Sequence, residues 1–415
     1  MKEILSNRNV MVISITSSII GFFQQVYNPF WSLYLQDLGF SIPQIGLLSS
    51  IRSSEQFLFQ LPGGMLADRI GRKKITLIVA AIRIFTPMIF FFSTGWEGIL
   101  LGSIITGFES IQGPAFQAIV AESLPREQMG VGYGIYNTIQ RVPTIFTGVI
   151  GGILMDAMGI HEGTKLCFVG ASIIAFLVLL ARYFLLTETL TTRPKMNSSI
   201  TKDMTEVLPL FKGTLRGMLV ASVITQFAGG LTSSYIVIYV VDIIGLSKTE
   251  WGIITTVMSV LSLLTAIPGG MICDKVDKRK LLTIVRSIQP ITTIGYITFR
   301  NFWQILAVHV IAGAGMGLSG GSVYGMLGGP AWSSLLADLV PPEKRGRLSG
   351  FMGTISGLTT LSAPYIGAYT WESEYIGPDK TLIISAIVGV SSSAIIWLFV
   401  RDPRYEGKKS TPTAE

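Results

Sequence analysis

The sequence predicts an all-α membrane protein with twelve transmembrane helices in two pseudo-symmetric six-helix bundles. Three observations lead to this fold class. Only 14% of the 415 residues are charged and 49% are hydrophobic, whereas a soluble domain carries about 25% charged residues. Twelve stretches of the chain are apolar over about the 20 residues that a membrane-spanning helix needs. Two blocks of sequence also recur in the same order in the two halves of the chain.

The twelve apolar stretches define the predicted helices. A closed barrel is the other structure that satisfies the backbone in lipid, but these stretches lack the alternation of barrel strands. The first stretch follows Lys2 and Arg8, and no small-residue cleavage site comes after it, so it is a helix rather than a signal peptide. The predicted spans are 10–35, 44–66, 75–94, 98–121, 131–155, 165–187, 214–240, 250–273, 281–299, 303–337, 348–371 and 381–400.

The basic residues predict the orientation. With a cytoplasmic N-terminus, the cytoplasmic segments hold 23 of the 32 Lys and Arg residues and the outer loops hold four. Cytoplasmic loops are enriched in these residues, so we expect a cell-membrane protein with both termini in the cytoplasm. The predicted domains are an N-terminal bundle (1–187), a cytoplasmic linker (188–213), a C-terminal bundle (214–400) and a cytoplasmic tail (401–415). This asymmetry accounts for the net charge of +7 without a nucleic-acid partner.

An internal repeat indicates that the two bundles are duplicated units. The block Leu61–Arg69 recurs 206 residues later as Ile267–Lys275, and Gly113–Phe116 recurs 216 residues later as Gly329–Trp332. Transporters are commonly built from such repeats, with the substrate site between them. The change of offset falls near residues 313–329, which hold eight glycines. We expect a break in the tenth helix there, although a small-residue packing face is the alternative.

The loop after the second span carries a family signature. Residues 64–73 read GMLADRIGRK, which closely resembles the loop G-x-L-a-D-r-x-G-r-k of the major facilitator superfamily. The second copy, residues 270–279, is degenerate and has Asp277 at the second glycine position. With twelve spans and a long central loop, the resemblance covers nearly the whole chain and implies the fold of that family. The resemblance rests on the loop motif and its position after the second span, and not on the overall composition.

The resemblance also implies a cytoplasmic gate. In the family this loop latches against the start of the eleventh helix, and a carboxylate such as that of Asp68 can bind free N–H groups at a helix N-terminus. The alternative is that the basic residues of the loop only set the orientation. The gate residues carried over from the family motif are Gly64, Asp68, Arg69, Gly71, Arg72 and Asp274.

Two subclass signatures of the family are incomplete. Its drug exporters often carry an arginine in the fourth helix, in R-x-x-q-G, but here Glu109 stands at that position before Gln112 and Gly113. Its antiporters often carry a glycine–proline motif in the fifth helix, where this chain has Pro143 and Gly148 in a different arrangement. Both departures weigh against a drug antiporter.

Five ionisable residues are predicted at membrane depth, all in the N-terminal half. Each lies eight to eleven residues from a helix end, which is roughly 12–17 Å at 1.5 Å per residue. Such groups are costly in lipid and usually functional. Structural pairs, Arg52 with Glu55 and Arg141 with Glu109, are the alternative, and Arg182 and Arg286 are expected to snorkel. The five are Arg52, Glu55, Arg83, Glu109 and Arg141.

These residues define a candidate transport site. The resemblance implies that helices 1, 4, 7 and 10 line the cavity, so Glu109 is the candidate proton carrier, with Glu55 in reserve and Arg52 and Arg83 as coupling partners. One arginine in excess over the glutamates suits an anion, because a guanidinium matches carboxylate or phosphate. The candidate substrate-binding residues, for which interhelical hydrogen bonding is the alternative, are Gln24, Tyr27, Asn28, Arg141, Gln226 and Tyr235.

The predicted function is secondary active transport of a small solute by alternating access. We expect coupling to protons and symport of an organic anion; a multidrug/proton antiporter, an uncoupled facilitator and a receptor on a transporter fold are alternatives. The sequence has no G-x-x-x-x-G-K-[ST] loop for ATP and no nucleophile–base or metal constellation of an enzyme. The expected partners are a small-molecule substrate, protons and the bilayer. No cofactor, metal or nucleic acid is expected, and the protein is expected to be a monomer.

Overall fold

The computed structural model describes residues 7–124, 129–190, 209, 211–312, 323–340 and 342–406. Within these ranges the regular secondary structure is helical throughout. The helical segments group into twelve successive helices, α1 to α12, in the order of the predicted spans. The break in the tenth helix is expected near residues 313–329, and residues 313–322 of that stretch lie outside the described ranges.

The first six helices precede the central linker. They are α1 (Arg8–Tyr27, the 3-10 turn Asn28–Phe30 and Trp31–Asp37), α2 (Ile42–Ile70), α3 (Arg72–Phe92), α4 (Trp96–Glu109 and Gln112–Ser123), α5 (Met129–Arg141, the 3-10 turn Val142–Thr144 and Thr147–Met158) and α6 (Ile160–Leu185).

The other six helices follow it. They are α7 (Thr214–Thr232, Ile236–Ile238 and the π-helical turn Tyr239–Ile243), α8 (Lys248–Lys275), α9 (Lys278–Ser287 and Gln289–Thr298), α10 (counted as the pair Phe302–Ala312 and Val323–Leu339), α11 (Pro342–Glu372) and α12 (Gly377–Phe399). A short helix, Pro403–Glu406, follows α12.

Five of these helices are individually long and apolar enough to cross a membrane, judged over the described residues. A sixth is added if the pair Thr214–Thr232 and Ile236–Ile243, bent by 43°, counts as one span. Some of the others are divided into shorter helices, as α4 and α9 are, and α2 carries Arg52 within its length. The five helices are Arg8–Asp37, Arg72–Phe92, Gly132–Met158, Ile160–Leu185 and Gly377–Phe399.

The chain divides into two compact units. The first comprises Met1–Lys195 together with Ser247–Thr256, and the second comprises Met196–Leu246 together with Val257–Glu415. The beginning of α8 therefore belongs to the first unit, where it packs against α5. Added side chains show how close this packing is: a Cβ on Gly148 would lie 2.8 Å from the carbonyl oxygen of Gly252, and one on Gly152 would lie 2.4 Å from that of Lys248.

Within the first unit, contacts between helix ends show which ends lie together. The Arg8 side chain at the start of α1 donates to the carbonyl of Phe184 at the end of α6, at 2.9 Å. At the other end of the bundle, His161 at the start of α6 lies 3.3 Å from the carboxylate of Asp37 at the end of α1. These two helices therefore run in opposite directions.

The second unit repeats this arrangement. The backbone N–H of Arg401, after α12, donates to the hydroxyl of Thr214 at the start of α7, at 3.2 Å. At the other end of the unit, the Tyr239 hydroxyl at the end of α7 donates to Asp379 at the start of α12, at 2.6 Å. A buried apolar cluster lies towards the first of these ends and includes Met218, Leu282, Leu335, Leu348 and Ile396.

Two proline-associated breaks shape the first unit. Proline lacks a backbone N–H and disrupts helical hydrogen bonding, and 3-10 turns stand at Asn28–Phe30, which contains Pro29, and at Val142–Thr144, which contains Pro143. The break in α1 lies between Tyr27 and Trp31, two residues that line the cavity described next. It therefore sets the direction of these two aromatic side chains.

Candidate transport site

The first unit encloses a cavity of about 240 Å³. Helices α1, α3 and α4 supply most of its lining, and α2 and α6 contribute one residue each. The lining is partly aromatic, from Phe23, Tyr27, Trp31 and Phe90, and partly polar, with hydroxyl groups from α3 and α4. Among the described residues, its charged members are Arg52, Arg83 and Glu109. Three of the five charges predicted at membrane depth thus face one cavity.

Arg83 and Glu109 form a buried ion pair between α3 and α4. Arg83 Nε lies 2.6 Å from Glu109 Oε2, and the Glu109 side chain is only 6% exposed. Arg83 Nη1 also donates to Gln112 Oε1 at 3.4 Å, and Gln112 Nε2 donates to the Thr76 carbonyl at 3.3 Å. The alternative in which Glu109 pairs with Arg141 is therefore not what the structure shows, because Glu109 pairs with Arg83. The pairing follows because α4 turns Glu109, its last residue before the break at Ser110, towards α3.

Arg52 reaches the same cavity from α2. Its Nη2 donates to the side-chain oxygen of Asn28 at 3.1 Å, and its guanidinium carbon lies 6.0 Å from the centre of the Trp31 ring, which is the outer limit of a cation–π contact. Asn28 is placed there by the 3-10 turn in α1. The side chain of Glu55 lies outside the described part of the chain, so its role and its pairing with Arg52 stay predictions.

The remaining predicted substrate contacts are spread over both units. Gln24 and Tyr27 line the cavity, whereas Arg141 is exposed at the end of the helical segment Met129–Arg141 and does not line it. In the second unit, Gln226 is exposed on α7, and the buried Tyr235 donates its hydroxyl to the carbonyl of Pro364 in α11. Tyr235 thus makes the interhelical hydrogen bond that was its alternative role.

The hydroxyl groups of α4 form a part of the site that was not predicted. Ser103, Thr106 and Ser110 line the cavity together with Glu109. Their spacing of three and four residues places them on one helix face, so polar periodicity around Glu109 is the signal that identifies them. On α3, Thr86 lies one turn from Arg83 and lines the same cavity.

The signature loop has a clear role inside the first unit. Gly71, between α2 and α3, has φ +111°, and a Cβ there would lie 2.7 Å from Glu188 Oε2. The Glu188 carboxylate follows α6 and accepts hydrogen bonds from the backbone N–H groups of Arg72 at 3.2 Å and Lys73 at 3.1 Å. It therefore caps the N-terminus of α3, where an anion is favourable. Arg72 is buried and forms an ion pair with Glu122 on α4.

The other gate residues remain untested predictions. Arg69 is exposed at the end of α2. Gly64 and Asp68 belong to α2 and Asp274 belongs to α8, but the surroundings of these three residues are not described.

The degenerate second copy preserves the same contacts. Lys278, at the offset of Arg72, is fully buried and pairs with Asp338 at the end of α10, the counterpart of Glu122. Its backbone N–H donates to the Asp402 carboxylate after α12, at 3.0 Å. Asp277, where the first copy has its glycine, has φ −63° and adds a cap of its own by accepting from the Arg279 N–H. The second loop therefore does not need the positive φ that Gly71 has in the first, and an aspartate can stand at this position.

Two arginines expected to snorkel are instead buried. Arg182 near the end of α6 is fully buried and donates to Thr16 Oγ1 at 3.0 Å. Arg286 in α9 is 9% exposed and donates to the hydroxyl of Thr225 in α7. Helical side chains lean towards the N-terminus of their helix, so a side chain near the end of α6 leans back along the helix and away from the end of the bundle. The snorkelling prediction is wrong for both residues.

A comparison with protein families identifies the chain. The family model described as Major Facilitator Superfamily matches residues 13–328 and 218–415. The chain belongs to the Major Facilitator Superfamily. Members of this superfamily are membrane transporters, so the protein is a multi-pass membrane transporter and not an enzyme.

Individual members of the superfamily align with this chain over almost its full length. An uncharacterized MFS-type transporter of Methanocaldococcus jannaschii is 20% identical over 405 residues, 95% of each chain. The multidrug resistance protein MdtG of Proteus mirabilis is 24% identical over 388 residues, 91% of this chain and 92% of that protein. The crystal structure of a single-residue mutant of the nucleoside transporter NupG superposes with a TM-score of 0.77 at 12% identity, covering 93% of this chain and 98% of that chain. This last likeness concerns the fold.

Proposed function

We propose that this MFS protein is a secondary active transporter that moves a small organic anion together with a proton by alternating access. The observation that carries the proposal is the buried ion pair between Arg83 and Glu109, which faces the cavity of the first unit. Ionisable residues at membrane depth commonly mark substrate pathways and proton relays. Glu109 is the proposed proton carrier.

The ion pair links proton binding to anion binding. In the paired state the charges of Arg83 and Glu109 compensate each other. A proton on Glu109 removes the negative charge and leaves the guanidinium of Arg83 without its partner, which is unfavourable for a buried charge. An anion in the cavity restores the balance. The proton therefore binds first and the anion second, and both are carried in the same direction.

The charge of the cavity favours binding of an anion both when Glu109 is ionised and when it is protonated. Its described lining holds two guanidinium groups, those of Arg52 and Arg83, and one carboxylate, that of Glu109. Guanidinium groups bind carboxylate and phosphate through parallel hydrogen bonds. Since Glu109 is already paired, the described lining offers no free carboxylate to a cationic drug.

The second candidate is proton-coupled drug export. It is favoured by the multidrug resistance proteins named MdtG, which are 24% identical to this chain over most of its length. For a cation to bind, Glu109 would have to release Arg83, and the proton would then leave as the drug enters. An uncoupled facilitator has no observation of this kind in its favour.

The topology and assembly of the transporter are part of the proposal. The distribution of Lys and Arg supports a place in the cell membrane with both termini in the cytoplasm. The proposed domains are the bundles 1–187 and 214–400, joined by the linker 188–213 and followed by the tail 401–415. The protein would act as a monomer. In this orientation the ends of α2 and α8 that carry the gate residues Gly64, Asp68 and Asp274 would lie on the cytoplasmic side.

Transport by purified protein in proteoliposomes tests the coupling. The panel consists of small organic anions and lipophilic cations, each measured with and without a pH gradient, for wild type and Glu109→Gln. The exposed Glu97, at the start of α4, provides the matched carboxylate control as Glu97→Gln. We expect wild type and the control to accumulate an anion when the pH gradient is imposed. Glu109→Gln should exchange the anion without accumulating it. Accumulation by Glu109→Gln in response to the gradient would reject the proposal, and accumulation of cations alone would favour drug export.

A further inference from the structure

We infer that the cavity of the first unit selects a small aromatic monoanion, whose acid group binds Arg52 and whose ring lies against Trp31. The inference rests on the proposed function only in so far as it names the substrate of the same site. It depends on three features of the described lining: a fixed aromatic wall, an accessible guanidinium beside it, and a small volume.

The aromatic wall is held rigid by its own packing. Trp31 packs with its ring centre 5.1 Å from that of Phe90 and 5.8 Å from that of Tyr34. Behind it lies Phe168, which is fully buried and contacts Tyr27, Trp31, Tyr34 and Phe90. Trp31 itself remains partly exposed and lines the cavity. A fixed ring of this kind binds another ring without losing side-chain entropy, and offset or edge-on ring contacts add about 0.5–1.5 kcal/mol.

Arg52 is positioned to hold an acid group at the edge of that wall. Among the described residues, its exposed side chain is oriented by one hydrogen bond, from Nη2 to Asn28 at 3.1 Å. A guanidinium has five N–H donors, so within these described surroundings donors remain for a carboxylate. The guanidinium carbon stands 6.0 Å from the centre of the Trp31 ring. A ligand whose carboxylate binds Arg52 therefore brings a directly attached ring next to Trp31.

Charge and size narrow the ligand to one negative charge and about one ring. One proton on Glu109 leaves one positive charge uncompensated, so one negative charge on the ligand restores the balance of the described lining. Arg52 is the guanidinium of that lining that lies outside the ion pair of Arg83 with Glu109. The volume of about 240 Å³ lies below the range of roughly 300–1,000 Å³ that is usual for sites of drug-sized ligands. Ser103 and Ser110 also line the cavity, and their hydroxyl groups can hydrogen-bond to substituents of the ring.

Four probes of similar size separate these features. We would measure binding to the purified protein by isothermal titration calorimetry with benzoate, benzamide, benzylamine and cyclohexanecarboxylate. Benzoate carries both the charge and the ring; benzamide lacks the charge, benzylamine reverses it, and cyclohexanecarboxylate lacks the aromatic ring. We expect benzoate to bind at least tenfold more tightly than benzamide and benzylamine, and several-fold more tightly than cyclohexanecarboxylate.

Variants assign the binding to the two residues. Arg52→Gln should weaken benzoate at least tenfold, and Arg52→Lys should weaken it less, because the charge remains while the planar fork is lost. Trp31→Leu should remove the preference for benzoate over cyclohexanecarboxylate. Lys380→Gln removes a cation at the start of α12 in the second unit and should leave all four affinities unchanged. A thermal unfolding transition like that of wild type shows that each variant is folded.

Several outcomes would overturn the inference. The inference is rejected if benzylamine binds as tightly as benzoate or more tightly, or if folded Arg52→Gln keeps the wild-type affinity for benzoate. It is also rejected if folded wild type binds none of the four probes. The coupling proposal fails separately: benzoate that binds through Arg52 but is not accumulated by a pH gradient rejects Glu109 coupling and leaves the ligand class standing. Conversely, gradient-driven uptake of another solute, lost in Glu109→Gln, upholds coupling while absent benzoate binding rejects the ligand class.

Discussion

The guanidinium of Arg182 lies over the ring of Phe116, 4.8 Å from its centre. In the second unit Arg286 lies over Trp332, at 5.1 Å. Phe116 and Trp332 hold the same position in the repeated Gly-Pro-Ala-aromatic sequence, yet the two arginines come from α6 and α9. Each arginine also donates to a threonine in the first helix of its unit. The two units therefore fill an equivalent place with a cation supplied by different helices.

The first prediction concerns the geometry of the Arg182 site. Arg182→Lys should lower the free energy of unfolding by about 1–3 kcal/mol, measured as a lower thermal unfolding midpoint in detergent. A lysine keeps the buried charge but lacks the planar fork with which Arg182 donates to Thr16 Oγ1 at 3.0 Å and to Ser17 Oγ at 3.3 Å. Arg182→Met should retain or raise the midpoint, since apolar residues of similar volume often replace buried charges without loss. A Met variant less stable than the Lys variant would contradict this account.

The second prediction concerns the packing of α5 on the start of α8. Gly152→Ala should lower both the unfolding midpoint and the transport rate, because the added methyl meets the backbone of Lys248 at 2.4 Å. Gly134, on the same helix, has open space where its Cβ would lie, so Gly134→Ala should be neutral or stabilising by about 0.5–1 kcal/mol. The two variants are to be compared in the same detergent and in the same proteoliposomes. Equal behaviour would show that α5 and α8 do not need this close approach.

The third prediction separates two reasons for the glycine of the signature loop. Gly39 and Gly71 both have positive φ, +84° and +111°, but only the Cβ of Gly71 would meet a neighbour, Glu188 at 2.7 Å. Gly39→Ala should therefore show backbone strain alone, about 1–3 kcal/mol. Gly71→Ala should show this strain and lose part of the α3 cap, so its unfolding midpoint should fall further. If Gly39→Ala is the less stable variant, the Glu188 cap is not important for stability.

The fourth prediction concerns topology. Cysteines introduced at Asn197, in the linker, and at Gly377, at the start of α12, should react with an impermeant thiol reagent from opposite sides of the membrane. The native Cys167 and Cys273 are buried, which keeps the background reaction low, and the unmodified protein serves as the control. Reaction of both introduced cysteines from the same side would contradict the proposed orientation.

The fold could be predicted because a helix that spans lipid needs about 20 consecutive apolar residues, and such stretches are visible in the sequence. Helix length, apolar stretches and the repeated blocks follow directly from the sequence, and the family model agrees with them. Position along a helix can be read from the sequence, and three of the five charged residues placed near helix centres, Arg52, Arg83 and Glu109, line one cavity. The direction of a side chain around its helix axis was not predictable. The break at Ser110 depends on packing, as does the cap that Glu188 brings to Arg72 across 116 residues.

The compensated charges of Arg83 and Glu109 have a consequence for the energetics of the proposed cycle. A proton that enters with a monoanion adds no net charge, so the loaded carrier would cross between its states without moving charge through the membrane field. Transport would then be electroneutral: indifferent to the membrane voltage and limited by the proton gradient alone. At equilibrium each pH unit would support about a tenfold concentration ratio of the anion, since one unit corresponds to about 1.4 kcal/mol.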